Sequence, residues 1–140
     1  MRVALVSCVK SKLAQPAPAK DLYISTLFKG LRKYAEESGD AWYILSAEHG
    51  VLHPDTIVAP YERTLNTMRT AERQMWAAGV IEKLADIIPA GAEVVILAGE
   101  RYRDHLVPYL ERRGHPVVIP LLGLPFGRQL QWLRDRDARS

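Results

Sequence analysis

The sequence predicts an α/β fold: a three-layer α/β/α sandwich built on a four-stranded parallel sheet in the order 2-1-3-4. Three observations carry that prediction: four short apolar runs, longer amphipathic stretches between them, and the regular alternation of the two. The runs lie at residues 3–7, 42–46, 94–98 and 116–119. Each is continuously apolar rather than alternating, as strands covered on both faces are. Right-handed crossovers leave few arrangements of four such strands, and 2-1-3-4 is the one expected.

The helices follow in chain order. Leu27, Leu31, Tyr34 and Ala35 form a stripe behind an N-cap at Ser25, and Ser38-Gly39-Asp40 stops it. Trp76, Val80, Leu84 and Ile87 mark a second helix, starting near Thr70 and ended by Pro89 and Gly91. A third runs from about Arg101 to Arg113, with Pro108 kinking or restarting it before Gly114. Phe126, Leu130 and Leu133 give the last, with Pro125 suited to its first turn. Two connections, residues 8–24 and 47–69, exceed the roughly 2–6 residues usual in such folds. Both follow strands at their carboxyl ends, where open α/β sheets bind ligands, so function is expected there.

The totals agree with one domain spanning 1–140, because 140 residues is near the commonest domain size. Nearly half of them, 48%, are apolar, enough for a core that folds without a metal or a disulfide. Cys8 is the sole cysteine, which excludes an internal disulfide and favours a reducing compartment. No apolar run approaches the ~20 residues that span a bilayer, and no secretory leader is visible. A cytoplasmic protein with no membrane partner is expected. The 19 basic and 16 acidic residues leave a charge of +3, compatible with a mixed-charge surface or with a nucleic-acid face. Lys10, Lys12 and Lys20 share one connection, while Arg128, Arg134, Arg136 and Arg139 sit near the C-terminus, the last three in an expected fraying tail.

Four stretches carry candidate chemistry. In Ser7-Cys8-Val9-Lys10-Ser11-Lys12, two lysines, hydroxyls and backbone amides past a strand suit a phosphate, although the glycines of a P-loop are missing. The alternative is a solvated loop with Cys8 packed as a small hydrophobe. Asp21 introduces the first helix as a turn or capping residue, and Tyr23 can stack on a base or support the loop. The richest stretch begins at Ser46 and gathers Glu48, His49, His53, Asp55, Tyr61, Glu62 and Arg63, with Gly50 for a sharp turn and Pro54 and Pro60 as stiffeners. Such a set can supply a general base, a stacking ring and a cationic clamp. His49 and His53 stand four apart, but the turn signals speak against a zinc-binding helix, and no metal or other cofactor is expected. Last, Gly99 permits close backbone approach before Arg101, Tyr102 and Arg103, at what should be a helix N-terminus, with Glu100 and Arg103 able to pair on its first turn.

The run Ser46-x-x-x-Gly50-x-Leu52-x-Pro54-x-x-x-x-x-Pro60-Tyr61 resembles the signature of the YaaA peroxide-stress proteins, which are DNA-binding. Together with Cys8-x-Lys10, Leu22-Tyr23-x-Ser25-x-Leu27-Phe28 and Ala98-Gly99-x-x-Tyr102, it is similar over nearly the whole chain to a compact family of unknown function found in bacteria and their phages. A more distant similarity is to the uracil-DNA glycosylase fold. That fold has the same strand order, but its catalytic loops do not transfer: the corresponding positions read Ser7-Cys8-Val9-Lys10 and Pro120-Leu121-Leu122-Gly123.

These readings together favour a protein acting on nucleic acid or nucleotides, with glycosylase-like hydrolysis of the N-glycosidic bond as its candidate reaction. Asp55 or Glu62 would be its catalytic carboxylate. Cys8, Lys10, Lys12, Tyr23, Ser46, Tyr61, Arg63, Gly99, Arg101 and Tyr102 would be its binding residues. The alternative is a non-catalytic DNA- or nucleotide-binding module of a stress-response or phage-defence system. A third reading is a protein-interaction domain in such a system.

Overall fold

The computed structural model of the chain describes residues 1–7 and 12–139. In chain order its elements are β1 (Arg2–Ser7), β2 (Ala17–Pro18), α1 (Ala19–Leu22), α2 (Thr26–Ser38), β3 (Ala41–Ser46), β4 (Gly50–Leu52) and β5 (Ile57–Val58). A 3-10 turn at Leu65–Thr67 precedes α3 (Thr70–Ile87), β6 (Glu93–Leu97), α4 (Glu100–Arg103), α5 (Val107–Arg112), β7 (Val117–Val118) and α6 (Phe126–Arg139).

The main sheet has five strands in the order β4-β3-β1-β6-β7 and is mostly parallel. The α/β class therefore holds, but the expected all-parallel sheet of four strands does not. Its four parallel strands, in their expected relative order, are joined by β4, which folds back antiparallel on β3 and pairs Ser46 with Gly50. The physical reason is local. Gly50 adopts φ +73°, a conformation that only glycine enters freely, so the chain reverses immediately after β3 instead of leaving the sheet.

Strand pleating then sorts side chains onto two cores. Val3, Leu5, Val94 and Ile96 pack with Ala77, Val80 and Leu84 of α3 and with Leu106 and Leu110. Ala4, Val6, Val95 and Leu97 pack on the other face with Leu22, with Phe28, Leu31 and Ala35 of α2, and with Leu133 of α6. Each fully buried Leu, Ile or Phe contributes roughly 1.5–3 kcal/mol. No helix among the described residues is long and apolar enough to cross a membrane.

The helix signals hold in detail. Ser25 caps α2, its Oγ accepting from the Phe28 amide at 3.1 Å, and α3 begins at Thr70. The third expected helix is two: α4 ends at Arg103, and α5 restarts with Pro108 in its first turn, where a missing N–H costs nothing. The C-terminal arginines do not form an irregular tail, since α6 continues to Arg139. Leu133 docks it against Gly30, and Trp132 meets Tyr34 edge-on at 5.0 Å.

The two long connections are organised by each other. β2 pairs antiparallel with β5, matching Ala17 to Val58 and Pro18 to Ile57. The Ala19 and Lys20 amides donate to the carbonyls of Thr56 and Pro54 at 2.7 and 2.9 Å. Lys12 and Tyr23 form a further antiparallel bridge. What the sequence presents as loop is a small second ribbon beside the main sheet.

Candidate functional site

At β1 the sheet changes direction: the chain crosses from β1 to β3 on one side, and β6 lies on the other. A crevice opens beyond the carboxyl ends of such strands. Here it is a cleft of about 780 Å³ whose lining includes Ser7 at the end of β1 and Ile96, Leu97 and Ala98 at the end of β6. Leu27 and Leu31 of α2 add an apolar wall. The rim is polar. Lys12 comes from the first long connection, Glu62 and Arg63 from the second, and Glu100, Arg101 and Arg103 from α4. Four cations thus face two carboxylates, which favours an anionic ligand.

Of the residues expected from sequence, the fold brings Lys12, Glu62, Arg63, Gly99, Arg101 and Tyr102 onto this one cleft. Cys8 and Lys10 lie outside the described residues. Asp55 is not on the cleft. It is exposed on the ribbon, where its carboxylate meets Lys20 Nζ at 2.7 Å and its amide donates to His53 Nδ1 at 3.1 Å. The hydrogen bond and charge of Lys20 hold the Asp55 carboxyl below its ordinary value, and Lys20 is raised in turn. Asp55 thus links the two connections through its ion pair with Lys20.

Ser46, Tyr23 and Tyr61 stand behind the cleft rather than on it. Ser46 is fully buried; its Oγ accepts from the His49 amide at 3.1 Å and donates to the Tyr61 hydroxyl at 2.8 Å. That hydroxyl lies 2.6 Å from the hydroxyl of Tyr23, itself buried against Phe28. Three hydroxyls from three parts of the chain therefore form one chain of hydrogen bonds. Above it, Lys12 Nζ sits 4.7 Å from the Tyr61 ring centre and 5.8 Å from that of Tyr23. The negative faces of the two rings attract the ammonium and fix the stem of a cleft cation. The tyrosines thus support a cation that lines the cleft.

On the far wall, Tyr102 is buried edge-on against Trp76 at 5.6 Å, and the Trp76 indole donates to the Ser46 carbonyl at 2.8 Å. α4 is one short turn, so the helix N-terminus expected after Gly99 has too few aligned peptides for a sizeable dipole. The expected Glu100–Arg103 pairing gives way to another use of the arginine, whose Nη1 donates to the Ala98 carbonyl at 3.0 Å. Sequence reasoning missed Arg103 as a cleft residue, and with it Thr64, Asn66 and Thr67 around the 3-10 turn, and Gln129 of α6. Thr64 Oγ1 accepts from the Asn66 amide at 3.3 Å, a local capping signal that was readable. His49 and His53 do not act together, the first meeting Tyr61 edge-on at 5.5 Å and the second meeting Tyr43 at 6.2 Å. Among the described residues, no three His, Cys, Asp or Glu side chains cluster as metal ligands would.

A family model described as a family of unknown function, DUF6884, matches residues 3–135. The uncharacterized protein YfjM of Bacillus subtilis strain 168 is 33% identical over 128 residues, covering 81% of this chain and 80% of its own. No solved structure matches.

Proposed function

The chain belongs to this family of unknown function, DUF6884, so its activity is to be read from its own side chains, and we propose that it acts on nucleotides or nucleic acid, holding one nucleotide unit in the cleft. The observation that carries this reading is the pairing of an apolar wall with a cationic rim. Leu27, Leu31 and Leu97 suit the faces of a base, while Lys12, Arg63 and Arg101 suit its phosphate. The volume, about 780 Å³, lies in the range of small-molecule sites. The resemblance to DNA-binding peroxide-stress proteins in the segment from Ser46 to Tyr61 points the same way.

Glu62 favours a catalytic form of this reading, because it puts a carboxylate on the cleft beside Arg63. In an N-glycosidic hydrolysis it would take a proton from the attacking water. The water oxygen would bond to the anomeric carbon as the carbon–nitrogen bond breaks; the departing base would take up a proton from solvent, and Glu62 would return its own to solvent. Without that step the site is a binding module. Calorimetric titration with nucleoside monophosphates, followed by assay for released base, separates the two. Arg63→Glu should weaken binding about tenfold or more, as loss and reversal of a phosphate-facing charge does. Glu62→Gln should retain binding, and should abolish base release if the protein is a hydrolase. No binding by any nucleotide or oligonucleotide would overturn the proposal.

A further inference from the structure

A second depression lies between α2 and α6. Gly30 lets the two helices approach closely, since a Cβ there would stand 3.0 Å from Leu133 Cδ1. Beside this contact runs a groove of about 400 Å³, floored by Leu130 and Leu133 and bordered by Lys29, Lys33, Arg134 and Arg136, with Glu37 opposing them. Along its edge the Arg136 guanidinium stacks 4.8 Å over the Trp132 ring. Phe126 opens α6 and is 60% exposed, an unusual position for a large ring. Its spacing puts it on the helix face of Leu130 and Leu133, so it carries the groove's apolar stripe toward the start of α6.

The groove and the cleft share both helices. Leu27 and Leu31 of α2 face the cleft while Lys29 and Gly30 face the groove; on α6, Gln129 faces the first and Leu130 the second. The two sites thus lie on different faces of the same stretches of helix, about one helix width of roughly 10 Å apart. A free nucleotide in the cleft would leave this second row of cations and rings unused. A polymer with a charge and a flat apolar face in every unit would use it, and single-stranded nucleic acid is recognised by this combination of basic groove and exposed rings.

We infer that the α2–α6 groove carries the flanking segment of a single-stranded nucleic acid, one nucleotide of which occupies the cleft; this rests on the nucleotide reading of the cleft given above. Phosphates run along Lys29, Lys33, Arg134 and Arg136, and Phe126 stacks on a base where the strand leaves the cleft.

The test measures fluorescence anisotropy with a mononucleotide and with a single-stranded oligonucleotide of about eight residues, within the site sizes typical of such grooves. The wild-type protein should bind the oligonucleotide at least about tenfold more tightly. Combined Lys29→Glu and Arg134→Glu should remove that gain and leave mononucleotide affinity unchanged. The substitution should also lower the slope of log affinity against log salt by about 0.7 for each phosphate no longer neutralised. Both side chains are exposed, so folding is not at stake, and far-UV circular dichroism checks it. Phe126→Ala should weaken oligonucleotide binding about fivefold or more. Equal affinity for oligonucleotide and mononucleotide overturns the inference, as does indifference of oligonucleotide binding to the double charge reversal. So does polyglutamate binding as tightly as the oligonucleotide. Oligonucleotide binding that depends on Lys29 and Arg134 but not on Arg63 upholds the groove and overturns the cleft reading instead.

Discussion

Tyr61 shows how much one hydroxyl can hold in place. It lies between Ser46 and Tyr23, and its ring lies under the Lys12 ammonium, so a cation of the cleft depends on a residue that does not line the cleft. Tyr61→Phe should cost about 1–2 kcal/mol of stability, because the buried Ser46 hydroxyl loses the acceptor for its proton. Urea unfolding measures this, and an unchanged midpoint would mean that the hydroxyl chain carries no net energy. The sequence marks Ser46 and Tyr61 as unusual but not their roles, since their bond spans fifteen residues of chain that must first fold into β4 and β5. Ser25 is the contrary case. Its cap is legible because donor and acceptor are three residues apart. The ion pair of Asp55 is not legible for the same reason as the bond of Tyr61: its partner, Lys20, lies on another connection.

Elements with a long periodic pattern are readable, and short ones are not. α2 and α3 start where their signals place them. β2 and β5 have two residues each and β4 has three, too few for any period to register. They exist because a partner strand is at hand, which is information held elsewhere in the chain. The β3–β4 hairpin depends on Gly50 for its reversal. A methyl group there would meet Val80 Cγ2 at an ordinary 3.7 Å, so the cost of Gly50→Ala is conformational. It should amount to about 1–2 kcal/mol, the penalty for an L residue in the left-handed region. Thermal denaturation of the variant checks the value; a neutral result would show that the hairpin can turn through another conformation.

At the scale of the whole molecule, the parallel strand order follows from handedness rules, whereas the mutual pairing of the two long connections has no sequence signal. Lys20 and Asp55 latch that pairing. The Asp55 carboxyl is held below its ordinary value by the Lys20 hydrogen bond and charge, so its contribution to stability is present above the ordinary carboxylate pKa. That contribution is lost as pH falls through the lowered value. Asp55→Asn should therefore flatten part of the acid limb of the stability curve, and should leave nucleotide affinity within about twofold, as loss of an exposed pair remote from a ligand does. Hydrogen exchange at the Ala19 and Lys20 amides, which donate into the ribbon, reports the local opening. A large loss of nucleotide binding in Asp55→Asn would show that the carboxylate reaches the ligand after all.

The central position of β1 also sets a timetable for the growing chain. β1 is made before both of its neighbours, and Ala4 pairs with Trp42 on one side and Val95 on the other. During synthesis it can close on β3 early, but its second edge stays open until β6 has left the ribosome. Through that interval an apolar strand presents unpaired amides and carbonyls, the surface on which nascent chains associate with one another. Ser7 and Leu97, two neighbours on the cleft floor, are brought together only by the pairing of β1 with β6, so no earlier folding intermediate can contain the cleft.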